Sequence, residues 1–248
     1  MKKLLLAAAI SAVSFAAPQA AAQQSPVAID DTLEAKVIEW RRHIHANPEL
    51  GNREYETAKY IANHLQSLGL EVKTGIAHTG VAALLKGNGD GPTIALRADM
   101  DALPVTEKTD VPFKSTVTST YRGNDVGVMH ACGHDTHVAM LMGAAEQLVK
   151  MKDQLNGNVL FIFQPAEEGA PEGEEGGAEL MLEEGLFTNV FPGYKPERVF
   201  GIHVWGGFPT GHIGYRKGPL MASSDKFEIK VKGVQTHGSR PWGGVDPI

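Results

Sequence analysis

Residues 158–166 read NVLFIFQPA, and this continuous apolar run decides the fold class. It is rich in β-forming residues, which is typical of a strand that is covered on both of its faces. Segments with helical periodicity alternate with this run and with other short apolar runs along the chain. That alternation predicts an α/β layer fold.

The neighbouring elements follow from periodicity and from the positions of glycine and proline. Pro48 ends a first amphipathic helix, and Asp31 is predicted to lie near its N-cap. The predicted helices span 31–47, 53–69, 137–151 and 177–185. The further predicted strands span 81–87, 93–99 and 198–205.

The pattern changes after Met221. DKFEIKVKG, residues 225–233, alternates apolar and charged positions, which predicts a half-exposed strand. We therefore expect a second domain to begin near Ser223. The predicted organisation is a main domain over 23–222 and the start of a smaller domain over 223–248.

Composition and the first residues bear on location and partners. The chain has 248 residues and a net charge of −6, with charges of both signs mixed, so nucleic acid is not an expected partner. Residues 1–22 have the basic start, apolar run and small-residue end of a secretory signal peptide cleaved after Ala22. A membrane anchor is the alternative, but the run is too short for ~30 Å of hydrocarbon. A periplasmic or secreted protein is expected, without membrane association after cleavage.

Polar residues occur where several predicted strands end. Ligand sites in α/β sheets form at the carboxyl ends of strands, so these residues are expected to share one crevice. The segment ACGHD, residues 131–135, precedes a helix and adds a thiol and an imidazole to the same edge. The candidate residues are Asp99, Asp101, Cys132, His134, Glu167, Glu168 and His203.

Cys132 is the only cysteine of the chain, and Gly133 separates it from His134. Glycine permits a tight turn that brings both side chains to one point, and thiolate and imidazole are good ligands for Zn²⁺. The alternative is a small buried cysteine without a chemical role. His130 and His137 are interpreted as hydrogen-bonding residues around such a site or as helix-surface histidines.

The other candidates also have ordinary structural interpretations. Glu167 and Glu168 could bind metal and serve as a base, or they could belong to an acidic surface loop. His203 lies in a predicted apolar strand and could be a core histidine. Asp99 and Asp101 could orient histidine ligands, cap a helix or pair with Arg97.

Several longer motifs together resemble the amidohydrolase branch of the M20 metallopeptidase family, which includes aminoacylase-like, hippurate-hydrolase-like and auxin-conjugate-hydrolase-like enzymes. The resemblance extends over nearly all of the chain that follows the predicted signal peptide, and its motifs occur in the expected order. The motifs are HANPELGNREYETAKYI (45–61), ALRADMDALPV (95–105), MHACGHDTHVAMLMGAA (129–145), FIFQPAEEG (161–169), GIHVW (201–205) and KGVQTHGSRPWGGVDPI (232–248).

This resemblance implies a fold and an activity. The fold would be a three-layer α/β catalytic domain with a central, mostly parallel sheet, followed by the start of a smaller α+β dimerisation or lid domain. The activity would be metal-dependent hydrolysis of the amide bond of N-acyl amino acids or small peptide-like amides, through a metal-activated water. A homodimer would be the expected assembly.

The resemblance also implies roles for individual residues. Glu167 corresponds to the general base, Asp101 to an acidic residue that supports the metal centre, and His237 to a histidine that stabilises the tetrahedral intermediate in a neighbouring site. Two divalent ions, Zn, Mn, Co or Ni, would be held. The implied metal ligands are Cys132, His134, Glu168 and His203.

One departure from the family pattern leaves an alternative open. The family has a further histidine ligand near its C-terminus, and no segment matching it precedes Ile248, so we interpret the sequence as an N-terminal fragment. The alternative is a non-catalytic periplasmic metal- or ligand-binding relative with an incomplete site. A thiol redox role for Cys132 is disfavoured because a resolving cysteine is lacking.

Overall fold

The computed structural model describes residues 30–221, 227 and 229–248. They form two compact units, one that extends to Val204 and one that covers Trp205–Ile248. The predicted signal peptide, residues 1–22, and the predicted domain start at Ser223 lie outside the described residues. None of the helices formed by the described residues combines the length and the hydrophobicity of a membrane span.

A five-stranded sheet is the centre of the first unit. Its strand order is β1-β2-β6-β3-β7, and only β2 runs against the other four strands. This arrangement confirms the α/β class and the mostly parallel sheet. The strands are β1 (Glu71–Ile76), β2 (Gly80–Lys86), β3 (Thr93–Asp99), β6 (Asn158–Gln164) and β7 (Arg198–Gly201). A separate hairpin consists of β4 (Thr118–Tyr121) and β5 (Asn124–Gly127).

β6 is buried on both faces, as its sequence predicts. It pairs with β2 in the antiparallel sense and with β3 in the parallel sense. Phe161 and Phe163 pack into the core on one side of the sheet, whereas Leu160 and Ile162 pack into the core on the other side. An unbroken apolar sequence is needed here because, from Leu160 onward, this strand is buried on both faces.

Helices cover both faces of the sheet and complete three layers. α1 (Asp31–Ala46), α2 (Tyr55–Ser67) and α3 (His134–Lys150) contribute apolar side chains to the core that contains Phe161. α4 (Gly177–Glu183) packs with Met181 on the opposite face. The three-layer architecture implied by the family resemblance is therefore present.

Some element ends differ from the sequence predictions. The N-cap of α1 is Asp30 rather than Asp31, because the Asp30 carboxylate accepts the Leu33 N–H at 2.8 Å. α3 begins at His134, three residues before the predicted start, directly after a left-handed Gly133. β7 ends at Gly201, so His203 follows the strand instead of lying inside it.

The second unit is short. Val234 and Val245 form an isolated antiparallel bridge, and a 3-10 turn spans Pro241–Gly243. The strand predicted over 225–233 includes Asp225, Lys226 and Glu228, which lie outside the described residues, and this strand stays a prediction.

Candidate metal centre

The carboxyl ends of three parallel strands meet at one edge of the sheet. Asp99 ends β3 and is in register with Gln164, the last residue of β6. Residues 167 and 168 follow β6 closely, and His203 follows β7, which also pairs with β3. Cys132, in the loop before α3, and His134, the first residue of α3, also lie at this edge. The sheet topology thus brings the four candidate segments together, as expected for a ligand site in an α/β fold.

His134 is the most buried donor of this group, with no exposed surface. Its Nδ1 lies 2.8 Å from the backbone oxygen of Asp101 and 3.1 Å from the Oδ1 atom of that residue. Both neighbours are acceptors, so Nδ1 carries the proton and Nε2 keeps a bare lone pair in the neutral ring. Nε2 has no hydrogen-bond partner among the described residues.

Three carboxylates surround this bare nitrogen at distances too long for hydrogen bonds. Nε2 of His134 lies 3.6 Å from Asp99, 3.7 Å from Glu167 and 3.8 Å from Glu168. A buried polar atom without a partner is rare in native proteins. The acidic surroundings and the orphaned lone pair are both consistent with a cation at this position.

Cys132 and His203 form the outer part of the centre. The sulfur of Cys132 lies 3.4 Å from Nε2 of His203. Gly133, between Cys132 and His134, has φ +102°, and a Cβ built on it would lie 2.3 Å from the Val204 side chain. Glycine is therefore needed at position 133 for the turn and for the close approach of the segment that carries His203.

Asp99, which lies beside His134, also contacts two further side chains. It lies 2.6 Å from Nδ1 of His137 and 2.7 Å from Nη1 of Arg97. Nε2 of His137 accepts the Val204 N–H at 2.9 Å, so both ring nitrogens of His137 are used by protein groups. His137 thus fits a hydrogen-bonding role around the centre better than a ligand role, although Asp99, His134 and His137 also form a compact donor group.

The raised pKa values of His134 and Cys132 show that the site has a strongly negative potential. Burial opposes a charge on His134, yet the hydrogen bond to Asp101 and the charges of Asp99 and Glu167 raise its pKa to about 9. Burial, together with the neighbouring carboxylates of Glu168 and Glu167, raises the pKa of the Cys132 thiol to about 12. Without an ion, His134 would therefore carry a second proton on Nε2 near neutral pH. A bound cation would take the place of that proton at the Nε2 lone pair and would also deprotonate the thiol.

Asp99 and Glu167 respond differently to the same surroundings. Burial works against the Asp99 carboxylate, but the hydrogen bond from His137 and the charges of His134 and Arg97 lower its pKa to about 2. Burial and the charge of Asp99 raise the pKa of Glu167. Asp99 is thus held ionised, whereas the pKa of Glu167 is shifted upward, which makes its carboxylate the more readily protonated of the two.

The donors form overlapping groups that share His134. Within each group, the ligand atoms lie within 4.8 Å of one another, and the donor types are nitrogen, sulfur and oxygen. Such a set fits divalent transition metals, which accept imidazole, thiolate and carboxylate ligands. Two of the groups are Cys132–His134–His203 and His134–Glu167–Glu168.

The remaining predicted residues have other environments. His237 belongs to the second unit, is exposed, and contacts the Ser239 hydroxyl through Nδ1 at 2.9 Å. His130 is buried, and burial lowers its pKa to about 4. It is therefore not a helix-surface histidine. Glu54, which sequence reasoning did not single out, lies buried beside the loop that carries Glu167.

Comparison with known proteins identifies the family of the chain. The profile of peptidase family M20/M25/M40 matches residues 95–243, more than half of the chain. The chain belongs to this family. The resemblance of its motifs to M20 metallopeptidases is thereby confirmed, and the matched region includes Asp99, Cys132, Glu167 and His203.

Relatives of this M20 protein carry hydrolase names. It is 50% identical over 217 residues to thermostable carboxypeptidase 2 of Saccharolobus solfataricus, which covers 87% of this chain and 51% of the relative. It is 40% identical to an N-acyl-L-amino acid amidohydrolase of Geobacillus stearothermophilus over 88% of this chain and 54% of the relative. The M20 chain thus spans about half the length of these relatives.

A solved structure has the same fold. The Bacillus subtilis YXEP protein, described as a dinuclear metal-binding peptidase of the M20 family, matches with a TM-score of 0.67 and 41% sequence identity. The match covers 77% of this chain and 48% of the YXEP chain. The described residues of this M20 protein therefore adopt a fold that occurs in a protein with two metal ions.

Proposed function

We propose that this protein is a metal-dependent hydrolase that cleaves the amide bond of N-acyl amino acids or small peptide-like amides. One observation carries the proposal: the bare Nε2 of buried His134 lies between the carboxylates of Asp99, Glu167 and Glu168. Such a cluster has the donors for divalent ions and, beside them, a carboxylate suited to proton transfer.

The proposed ligands are Cys132, His134, Glu168 and His203. Asp101 supports two of them, since its carboxylate contacts His134 through Oδ1 and accepts the Glu168 N–H at 3.0 Å through Oδ2. Bound divalent ions would supply Lewis acidity, which acidifies a water and polarises the amide carbonyl. Two ions are proposed because the donors fall into overlapping groups and because the YXEP protein is described as dinuclear. Zinc, manganese, cobalt and nickel all fit the donor set.

Glu167 is the proposed general base. Its carboxylate is partly buried, and burial and the charge of Asp99 raise its pKa, which makes it a better proton acceptor than an exposed carboxylate. It would remove a proton from the attacking water and deliver one to the leaving amine. Arg97 and His137 keep the neighbouring Asp99 ionised and fixed during this transfer.

The substrate class rests on the names of relatives. These include the N-acyl-L-amino acid amidohydrolase, an N-acetylcysteine deacetylase of Bacillus subtilis and an IAA-amino acid hydrolase of Arabidopsis thaliana. All three names describe cleavage of an acyl group from an amino acid. We extend that chemistry to this chain, together with a role for His237 in stabilising the tetrahedral intermediate, a homodimeric assembly and export to the periplasm or medium.

Glu167→Gln in the protein produced from its complete gene tests the assigned base. We expect kcat for N-acetyl amino acids to fall at least about 100-fold, because the amide cannot accept the proton. Metal content, measured by atomic emission, should stay the same, since the ligands are untouched. Glu183→Gln, an exposed carboxylate of α4, is the matched control and should leave both quantities unchanged.

Two other outcomes have definite meanings. Unchanged hydrolysis by Glu167→Gln would refute the assigned base. Tight metal binding by the unsubstituted protein without hydrolysis of any acyl amino acid would instead favour the non-catalytic binding protein.

A further inference from the structure

Glu54 is a carboxylate with no exposed surface at the beginning of α2. Its side chain does not cap the helix. That role belongs to Glu49, whose Oε2 accepts both the N–H and the hydroxyl of Thr57 at 2.8 Å. Glu54 is thus free to point into the protein, where a carboxylate is tolerated only with hydrogen-bond partners.

The partners of Glu54 come from two distant segments. Oε1 accepts the backbone N–H of Ala166 at 2.8 Å, and Oε2 accepts the Thr79 hydroxyl at 2.5 Å. All three residues are buried. Ala166 immediately precedes Glu167 and Glu168, so one oxygen of Glu54 holds the turn from which the proposed base and a proposed ligand project.

The backbone of Ala166 needs such support. Its φ of +45° is in the left-handed region, which is unfavourable for a residue with a Cβ. Space around it is also tight: a Cβ on Gly51 would lie 3.1 Å from the Ala166 Cα, and a Cβ on Gly177 would lie 3.0 Å from its carbonyl oxygen. Strained backbone of this kind persists only where the surroundings fix it.

A second buried carboxylate holds the same turn from the other side. Asp101 accepts the Glu168 N–H at 3.0 Å. The backbone N–H groups on either side of Glu167 are therefore both bound by buried carboxylates, one from Glu54 and one from Asp101. This double attachment fixes where the Glu167 side chain leaves the backbone.

We propose that Glu54 is a positioning residue for the hydrolytic centre, which sets the placement of Glu167 and Glu168 through its hydrogen bond to the strained Ala166. The proposal rests on the proposed hydrolase function. Glu54 does not contact the donor cluster itself; it acts through the turn. Displacement of a catalytic group by about 1 Å can lower a rate about 100-fold, so loss of this bond should be visible in turnover.

Three substitutions in the protein produced from its complete gene separate positioning from simple stability. Glu54→Ala removes the acceptor for Ala166 and should lower kcat by about 10- to 100-fold with a KM change below about threefold. Burial raises the pKa of Glu54 to about 7, and the neutral amide of Glu54→Gln offers an oxygen to Ala166 and an N–H to Thr79. This variant should therefore retain kcat within about threefold.

Thr79→Val is the matched control. It removes the other hydrogen bond of Glu54, keeps the shape of the side chain, and leaves the bond to Ala166 intact. We expect a lower Tm but a kcat within about threefold of the unsubstituted protein. If Thr79→Val lowers kcat as much as Glu54→Ala, Glu54 has only a structural role and the proposal is wrong.

Metal binding gives a readout that does not depend on turnover. Titration with Co²⁺, followed through its absorption bands, should show weaker binding by Glu54→Ala than by Thr79→Val, because Glu168 projects from the displaced turn. If the protein showed no hydrolytic activity, the proposed function would be wrong, yet this difference in Co²⁺ affinity would still support the positioning role of Glu54. Equal Co²⁺ affinities together with equal kcat values would overturn it.

Glu54→Asp keeps the test decisive if Glu54→Ala does not fold. The shorter side chain keeps the charge but cannot reach Ala166 and Thr79 together. We expect it to resemble Glu54→Ala in kcat and in Co²⁺ affinity. A Glu54→Asp variant with full kcat, or a Glu54→Gln variant as impaired as Glu54→Asp, would show that the position of the acceptor is not what matters.

Discussion

The inner and outer residue pairs of the proposed centre have very different surroundings. His134 and its supporting Asp99 are 0% and 1% exposed, at the start of a long helix and the end of a buried strand. Cys132 and His203 are more accessible, and His203 follows the short edge strand β7, whose Phe200 is 58% exposed. The inner pair is fixed by packing on every side, whereas the outer pair depends on one strand and one glycine turn.

The difference in burial indicates that the two pairs are positioned in different ways. The inner pair is placed by the same contacts that stabilise the fold, so its geometry exists before any ion binds. The outer pair is more exposed, so its final arrangement depends more on a bound ion. Substitutions in the inner pair should therefore change both stability and metal affinity, and those in the outer pair should change metal affinity alone.

The largest effect is expected for His134→Ala. It removes the donor shared by all the candidate groups and leaves a cavity next to buried carboxylates. We expect affinity for Zn²⁺, measured by competition with a chromophoric chelator, to fall by more than about 100-fold, since loss of a mere supporting residue already costs 10- to 100-fold. The Tm of the metal-free protein should fall as well.

His43→Ala is the control for this prediction, because His43 is an exposed histidine of α1 that stacks on Tyr60. It should leave Zn²⁺ affinity unchanged. Zn²⁺ affinity that survives His134→Ala would place the centre elsewhere and remove the distinction between the two pairs.

An intermediate effect is expected for His203→Ala. This substitution removes one proposed ligand at an exposed position after β7, where the His203 ring lies 4.7 Å from the ring of His137. Zn²⁺ affinity should fall about 10- to 100-fold, and the Tm of the metal-free protein should stay within about 1 °C, as is usual for an exposed side chain. A fall in Tm as large as that of His134→Ala would show that the two pairs are equally integrated in the fold.

The smallest effect concerns the support of the inner pair by α1. His45 is buried and lies 2.9 Å from Asp135, in the first turn of α3, and 3.1 Å from Glu107. The hydrogen bond to Asp135 is the main cause that raises the His45 pKa above 6.5, and the contact with Glu107 adds to it against the effect of burial. Its stabilisation is thus complete below pH 6.5 and is lost as the pH rises through the raised pKa.

His45→Gln should reduce the free energy of unfolding by about 1.5 kcal/mol at pH 6, the typical contribution of a charged hydrogen bond. The difference between the two proteins should shrink as the pH is raised to 9. Urea denaturation of the metal-free proteins at both pH values measures it. A difference that grows with pH would mean that neutral His45 is the stabilising form.

The sequence predicts the buried elements well and the loops between them poorly. β6 can be predicted because a strand covered on both faces needs an unbroken apolar run, and α3 can be predicted from its helical period. The end of β7 cannot be predicted in this way, because Ile202 continues the apolar run beyond Gly201, where pairing with β3 stops. Periodicity reports which residues are buried, not where a hydrogen-bond ladder ends.

The candidate metal-binding residues can be predicted from the sequence, but the residues that hold them in position cannot. Asp99 and Glu167 can be predicted because they follow strands, and ligand sites in α/β sheets form at the carboxyl ends of the strands. Glu54 looks like one more polar residue at the start of an amphipathic helix. Its bond to Ala166 joins residues 112 positions apart, and only the packed fold shows it.

The central strand β6 leaves the protein little freedom to change length there. It is paired along both edges and packed on both faces, so one inserted residue would exchange the two apolar sets and shift the turn that follows. Evolution of new substrate preferences on this framework is therefore expected to act through the loops around the crevice. Residues 167 and 168, which follow β6, are therefore attached to a strand that tolerates little change.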